Sequence, residues 1–86
     1  MELLYRKMRR SNAIGMCQWD YIELDPRLVG RKHLEILLHE MLHYWFPDMS
    51  EDDVVKVSVD MCRTMWKDGY RKVNNDESDV LQDGTL

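Results

Sequence analysis

Within the apolar run Leu37-Leu38-His39-Glu40-Met41-Leu42-His43-Tyr44-Trp45, two histidines stand four residues apart with a glutamate directly after the first. This constrains the chain more than anything else in it. On a helix, positions four apart share one face a turn apart, so both imidazoles can reach a single metal ion. Glu40 then sits beside that ion without binding it, placed to take a proton from an activated water. The pattern implies the chemistry of a zinc hydrolase.

The segment around the motif has helical periodicity. Leu34, Leu37, Leu38, Met41, Leu42 and Trp45 follow i, i+3, i+4 spacing and form one apolar stripe, which predicts a helix from about Arg31 to Phe46 after the break at Gly30. His39 and His43 fall on a second face, with Ile36. Pro47-Asp48-Met49-Ser50 makes a short connection. Ser50 is a good N-cap, Asp53 three residues on gives a weak capping box, and Glu51 and Asp52 suit the positive end of a helix dipole. A second helix is expected from Glu51 to about Asp68, closed by Gly69. Val55, Val57, Val59 and Met61 also alternate as a strand would, but 18 uninterrupted residues without Gly or Pro favour a helix, with Val54, Val55, Ser58, Met61, Cys62, Met65 and Trp66 on one face.

Ahead of the motif the pattern changes to strands. Residues 2–8 alternate loosely, Leu4, Arg6 and Met8 against Leu3, Tyr5 and Lys7, and Ser11-Asn12 reads as a turn. The stretch from Ala13 to Asp25 is rich in β-branched and aromatic residues, with bends expected at Gly15 and around Trp19-Asp20, and gives two short strands, the second at Tyr21–Leu24. Asp25-Pro26 ends it. The fold class is therefore α+β: a small antiparallel sheet of two or three strands, then an antiparallel helical hairpin carrying the metal site. Residues 1–72 form a single domain and 73–86, polar and acidic, a disordered tail.

Two histidines need a third protein ligand, with one position left open for water. No histidine follows His43, so the candidates are Asp48, Glu51, Asp52 and Asp53. On a helical wheel Glu51 lies at the centre of the second helix's apolar face, and a short connection brings it to the height of His43. Asp48 is the second choice, and becomes the first if residues 51–68 form a strand. The alternative for Glu51 is that it is only a favourable first-turn residue. His33, near the far end of the motif helix, reads as a surface or satisfied core histidine.

Composition bears on this at four points. At 86 residues the chain is near the lower limit for an unaided hydrophobic core, so a metal staple would help. The net charge of −4 equals the four acids Asp76, Glu77, Asp79 and Asp83; residues 1–72 are neutral, and the only basic cluster, Arg6-Lys7-Arg9-Arg10, reads as a solvated face, so there is no case for nucleic acid. No apolar run approaches a membrane span, and Met-Glu-Leu-Leu-Tyr-Arg-Lys is no signal peptide, which points to the cytoplasm. Cys17 and Cys62 form no Cys-x-x-Cys pair and are expected to be free buried thiols.

Ile22-Glu23-Leu24-Asp25-Pro26-Arg27-Leu28, Leu38-His39-Glu40-Met41-Leu42-His43, Phe46-Pro47-Asp48-Met49-Ser50-Glu51, and then Trp66 and Gly69-Tyr70-Arg71 together resemble the zincin metallopeptidases. With glutamate as third ligand the pattern is gluzincin-like, and it is similar to short metallopeptidases of tailed phages over roughly residues 14–71. The resemblance implies His39, His43 and Glu51 as Zn2+ ligands and Glu40 as catalytic base. It further implies a peptide or protein substrate, the strand through Ile22 as the edge on which an extended peptide pairs, and, for a phage protein, the host cytoplasm. The oxyanion donor stays open between Tyr21 and a backbone N–H; Tyr70 would be roughly 28 Å along a helix from Glu51.

Two functions follow. One is zinc-dependent peptide hydrolysis with Glu40 as general base. The other is a non-catalytic zinc-stapled module that binds a partner protein, favoured by small size and the lack of an evident substrate groove.

Overall fold

The computed structural model describes residues 1–7, 15–18 and 20–73. Three strands, β1 (Glu2–Tyr5), β2 (Gly15–Cys17) and β3 (Tyr21–Leu24), precede two helices, α1 (Gly30–Trp45) and α2 (Glu51–Lys67). The α+β class, the three-stranded sheet and the helical hairpin agree with expectation. Both helices end within a residue of the boundaries read from periodicity and capping. The tail from 74 onward, the turn at Ser11-Asn12, Trp19, and Met8, Arg9 and Arg10 lie outside the described residues.

The sheet departs from expectation in one respect: it is mixed. Strand order is β1-β3-β2, with β3 parallel to β1 and antiparallel to β2. Neighbours in sequence favour a plain antiparallel meander, but burial decides otherwise. Ile22 and Leu24 are fully buried, so the strand that carries both takes the centre, where it is paired on both sides and covered by α1. β1 and β2 become the two edges among the described residues, and the Ile22 strand is not an edge. Gly15, expected at a bend, is a strand residue paired with Leu24.

β3 also shows how the sheet is anchored. Its other face carries Glu23, buried and held by the Arg6 guanidinium at 3.0 Å, which gives that cation of the basic cluster a definite partner. The turn after β3 is tied by buried Asp25, whose Oδ1 accepts the Arg27 backbone N–H and Nε–H, each at 2.9 Å, while the Leu28 N–H returns to the Asp25 carbonyl at 3.0 Å. This Asx-type arrangement reverses the chain and sends it into α1.

The hairpin core is Leu38 and Leu42 of α1 against Val54, Ser58 and Cys62 of α2, with Ile22 and Leu24 beneath. Val54, Ser58 and Cys62 recur every four residues, a narrower stripe than the seven-residue face expected; Val55 and Met61 are exposed, as is Trp45 of the α1 stripe. Five residues of that α2 face thus turn inward or half inward, because one helix contact covers only about a third of a helix's circumference. Ser50 caps α2 through its hydroxyl, which accepts the Asp53 N–H at 3.1 Å. The far end closes with Gly69 at φ +99°, the Gly69 N–H on the Trp66 carbonyl and the Tyr70 N–H on that of Met65, a Schellman motif. Cys62 is buried and Cys17 half-buried, both free thiols. No described helix is long and apolar enough to cross a membrane.

Candidate metal centre

α1 sets its two histidines a turn apart, and their rings meet edge to face with centroids 4.8 Å apart. The Nε2 atoms of His39 and His43 are 3.2 Å from each other. From the first turn of α2, Glu51 reaches across the hairpin, Oε1 lying 3.1 Å from His39 Nε2 and Oε2 2.9 Å from His43 Nε2. Three ligand atoms from two helices thus converge on one point, and all three residues form a group whose atoms lie within 4.8 Å of one another. Asp48, the second choice in the connection, is exposed and is not in that group.

The chemistry of this donor set fits zinc. For metal–ligand bonds near 2.0–2.1 Å in a tetrahedron, neighbouring ligand atoms sit roughly 3.3 Å apart. The two histidine nitrogens, 3.2 Å apart, are near that spacing, while Glu51 turns a different oxygen to each of them, at 3.1 and 2.9 Å, and with one atom per residue the three ligand atoms lie within 4.8 Å. Two imidazole nitrogens and a carboxylate are donor types that zinc accepts.

The structure brings Glu51, the residue read from the helical wheel, to both histidines, but does not bury it in the hairpin. Its side chain is 63% exposed, against 20% for His39 and 29% for His43. The carboxylate lies at the rim, bending inward to the histidines. An acid in the first turn of α2 is favoured by the positive end of the helix dipole.

Glu40, the residue expected as a base, lies against β2. It is 8% exposed, on the α1 face that meets β2. Burial is the largest influence on its carboxyl and pushes its pKa up; His39 and His43 pull it down, and the neighbouring Glu51 charge pushes it up again. A cation bound by His39, His43 and Glu51 would add to the downward pull. Cys17, on β2, is pushed up by burial and then by the Glu40 charge, which keeps its thiol protonated and unsuited to act as a nucleophile.

Sequence reasoning missed Gly15. An added Cβ there would lie 2.6 Å from Ile36 Cγ2 and 3.1 Å from both Cγ and Oε2 of Glu40. The available signal was a glycine inside a run of large residues, which marks close backbone approach as readily as a bend. Tyr21, offered as an oxyanion donor, is half-buried on the β3 face away from Ile22 and Leu24. Tyr70 lies at the far end of the hairpin, lining a cavity of about 260 Å³ with Leu34, Leu37, Met65 and Trp66. His33 is a satisfied buried histidine: the Tyr5 hydroxyl lies 2.8 Å from its Nε2.

No protein-family model, no curated protein and no solved structure matches this chain.

Proposed function

We propose that this protein is a zinc-dependent peptide hydrolase, with His39, His43 and Glu51 holding the metal and Glu40 as general base. The observation that carries the reading is the convergence of His39 Nε2, His43 Nε2 and both Glu51 oxygens at 2.9–3.2 Å, with a buried carboxylate one residue from the first ligand. Zinc at such a site supplies Lewis acidity, lowering the pKa of a water toward about 7 and polarising a carbonyl. Glu40 takes a proton from the attacking water as its oxygen bonds to the scissile carbon. It then delivers that proton to the leaving nitrogen as the C–N bond breaks. Burial supports this role, because a base in a dry environment loses little of its strength to hydration.

The substrate on this reading is an extended peptide. β2 rather than β3 is the edge adjacent to Glu40, so the pairing strand implied for Ile22 moves to Gly15–Cys17. The place of action is the cytoplasm. The direct test is Glu40→Gln assayed on a mixed peptide library with zinc content measured in parallel. Bound zinc with cleavage lost supports the reading, and cleavage retained rejects Glu40 as base.

A second reading, a zinc-stapled module that binds a partner protein, is favoured by one observation. The three ligands come from both arms of the hairpin, so a metal there clamps α1 to α2 in an 86-residue chain with a small core. It predicts that Glu40→Gln changes no partner binding and that zinc removal unfolds the domain.

A further inference from the structure

We infer that Gly15 is a positioning residue for Glu40, an inference that rests on the hydrolase reading above. Gly15 is the first residue of β2 and pairs with Leu24, the fully buried end of β3, so its main chain is fixed by the sheet. Its backbone does not require glycine: the positive-φ glycines among the described residues are Gly30 and Gly69. Space requires it. Carbon atoms in contact settle about 3.5–4.0 Å apart. A Cβ at position 15 would stand 2.6 Å from Ile36 Cγ2 and 3.1 Å from Glu40 Cγ and Oε2.

Ile36 and Glu40 are four apart on α1 and share the face that meets β2. The bare backbone of Gly15 therefore roofs the Glu40 side chain. It buries the carboxylate and blocks the rotations that would carry it away from the His39–His43 side of the helix. A methyl group at position 15 fits only if β2 lifts from α1 or if both the Ile36 and Glu40 side chains give way. The first frees the Glu40 side chain and the second turns it, so either shifts the base relative to the histidines, and a displacement on the order of 1 Å in a catalytic group costs about 100-fold in rate.

The contacts also separate positioning from packing. Ile36→Ala removes the 2.6 Å clash with Cγ2 and leaves the two contacts to Glu40 in place. The experiment compares the full chain, Gly15→Ala, Ile36→Ala, Gly15→Ala/Ile36→Ala, Glu40→Gln and Gly15→Ala/Glu40→Gln. Each is loaded with zinc, and bound zinc, melting temperature, kcat and KM on one peptide taken from a mixed library are read. Gly15→Ala is expected to keep stoichiometric zinc and to lower kcat about 100-fold, with KM little changed. Adding Ile36→Ala should restore the melting temperature to that of Ile36→Ala alone but not kcat. In the Glu40→Gln background, Gly15→Ala should cost nothing more, because the group it positions is already gone. Recovery of kcat together with melting temperature in the double variant overturns the role and leaves Gly15 as a packing residue. So does a full additional loss on the Glu40→Gln background. Zinc-loaded wild type that cleaves no better than Glu40→Gln overturns the hydrolase reading, and this role falls with it.

Discussion

The hairpin presents histidine chemistry at both ends, and the ends behave differently. At one, His33 is buried, with the Tyr5 hydroxyl 2.8 Å from its Nε2 and the two rings stacked at a centroid distance of 6.0 Å. At the other, His39 and His43 are half-buried, and their Nε2 atoms face each other and a carboxylate. A neutral hydroxyl satisfies one nitrogen and asks for nothing more. Two imidazole nitrogens and a carboxylate on one point make a group that could hold a cation. A histidine turned toward other ligand-type atoms is a candidate ligand, and one paired with a hydroxyl is a structural residue.

The comparison breaks most visibly through Glu40, which has no counterpart beside His33. Glu40→Gln should lower peptide cleavage by about 10²–10⁴-fold, the usual worth of a general base, while atomic absorption still finds one zinc per chain. Loss of zinc along with activity would instead make Glu40 part of the metal site's support.

Next in size is the contrast between ligands and non-ligand. His43→Ala and Glu51→Gln should each weaken zinc binding by more than the roughly 10–100-fold that follows loss of an outer-shell partner. His33→Gln should leave it unchanged. Competition titration against a chelating dye gives all three affinities; equal effects of His33→Gln and His43→Ala would erase the distinction between the two ends.

The pH dependence sharpens the comparison at the His33 end. Burial lowers the His33 pKa below 6.5, and the charge of Lys72, whose Nζ lies 3.5 Å from the Tyr5 hydroxyl, lowers it further. The folded state therefore holds His33 neutral where the unfolded chain already takes up a proton. Its contribution to stability is full above the unfolded pKa, near 6.5, and is lost as pH falls from there through the lower folded value. Chemical denaturation of the zinc-free protein at a series of pH values should show the wild type losing its advantage over His33→Gln in that window. A difference constant with pH would contradict it.

The smallest effect concerns the anchoring of Glu51. Ser50→Ala removes the hydroxyl that accepts the Asp53 N–H and should cost about 1 kcal/mol of stability by thermal unfolding, with zinc affinity weakened only slightly. A large loss of zinc affinity would mean that the first turn of α2, rather than the packed hairpin, fixes the carboxylate.

Much of this was legible in the residues. The α1 stripe, the Ser50 cap and the Gly69 stop are local signals, each depending on side chains within a turn of one another, and the helices follow them closely. The His39–His43 pair is equally local. Glu51 was reachable because a connection of a few residues leaves a hairpin little choice of height. The mixed sheet was not, since strand order depends on which strand's side chains α1 covers, and Ile22 and Leu24 gain that cover only once α1 has packed on the sheet. Nor was the exposure of Glu51, which a wheel places on an inward face because it has no knowledge of where the partner helix ends.

The sequence by itself determined the two helices, their caps and the ligand pair on α1, because these follow from spacing along one chain segment. Only the tertiary structure decided that β3 lies between β1 and β2, that Glu51 meets both histidines from the rim, and that Gly15 closes over Glu40. Those depend on distances between segments far apart in the chain, and such distances are set by how the whole core packs rather than by any stretch of residues.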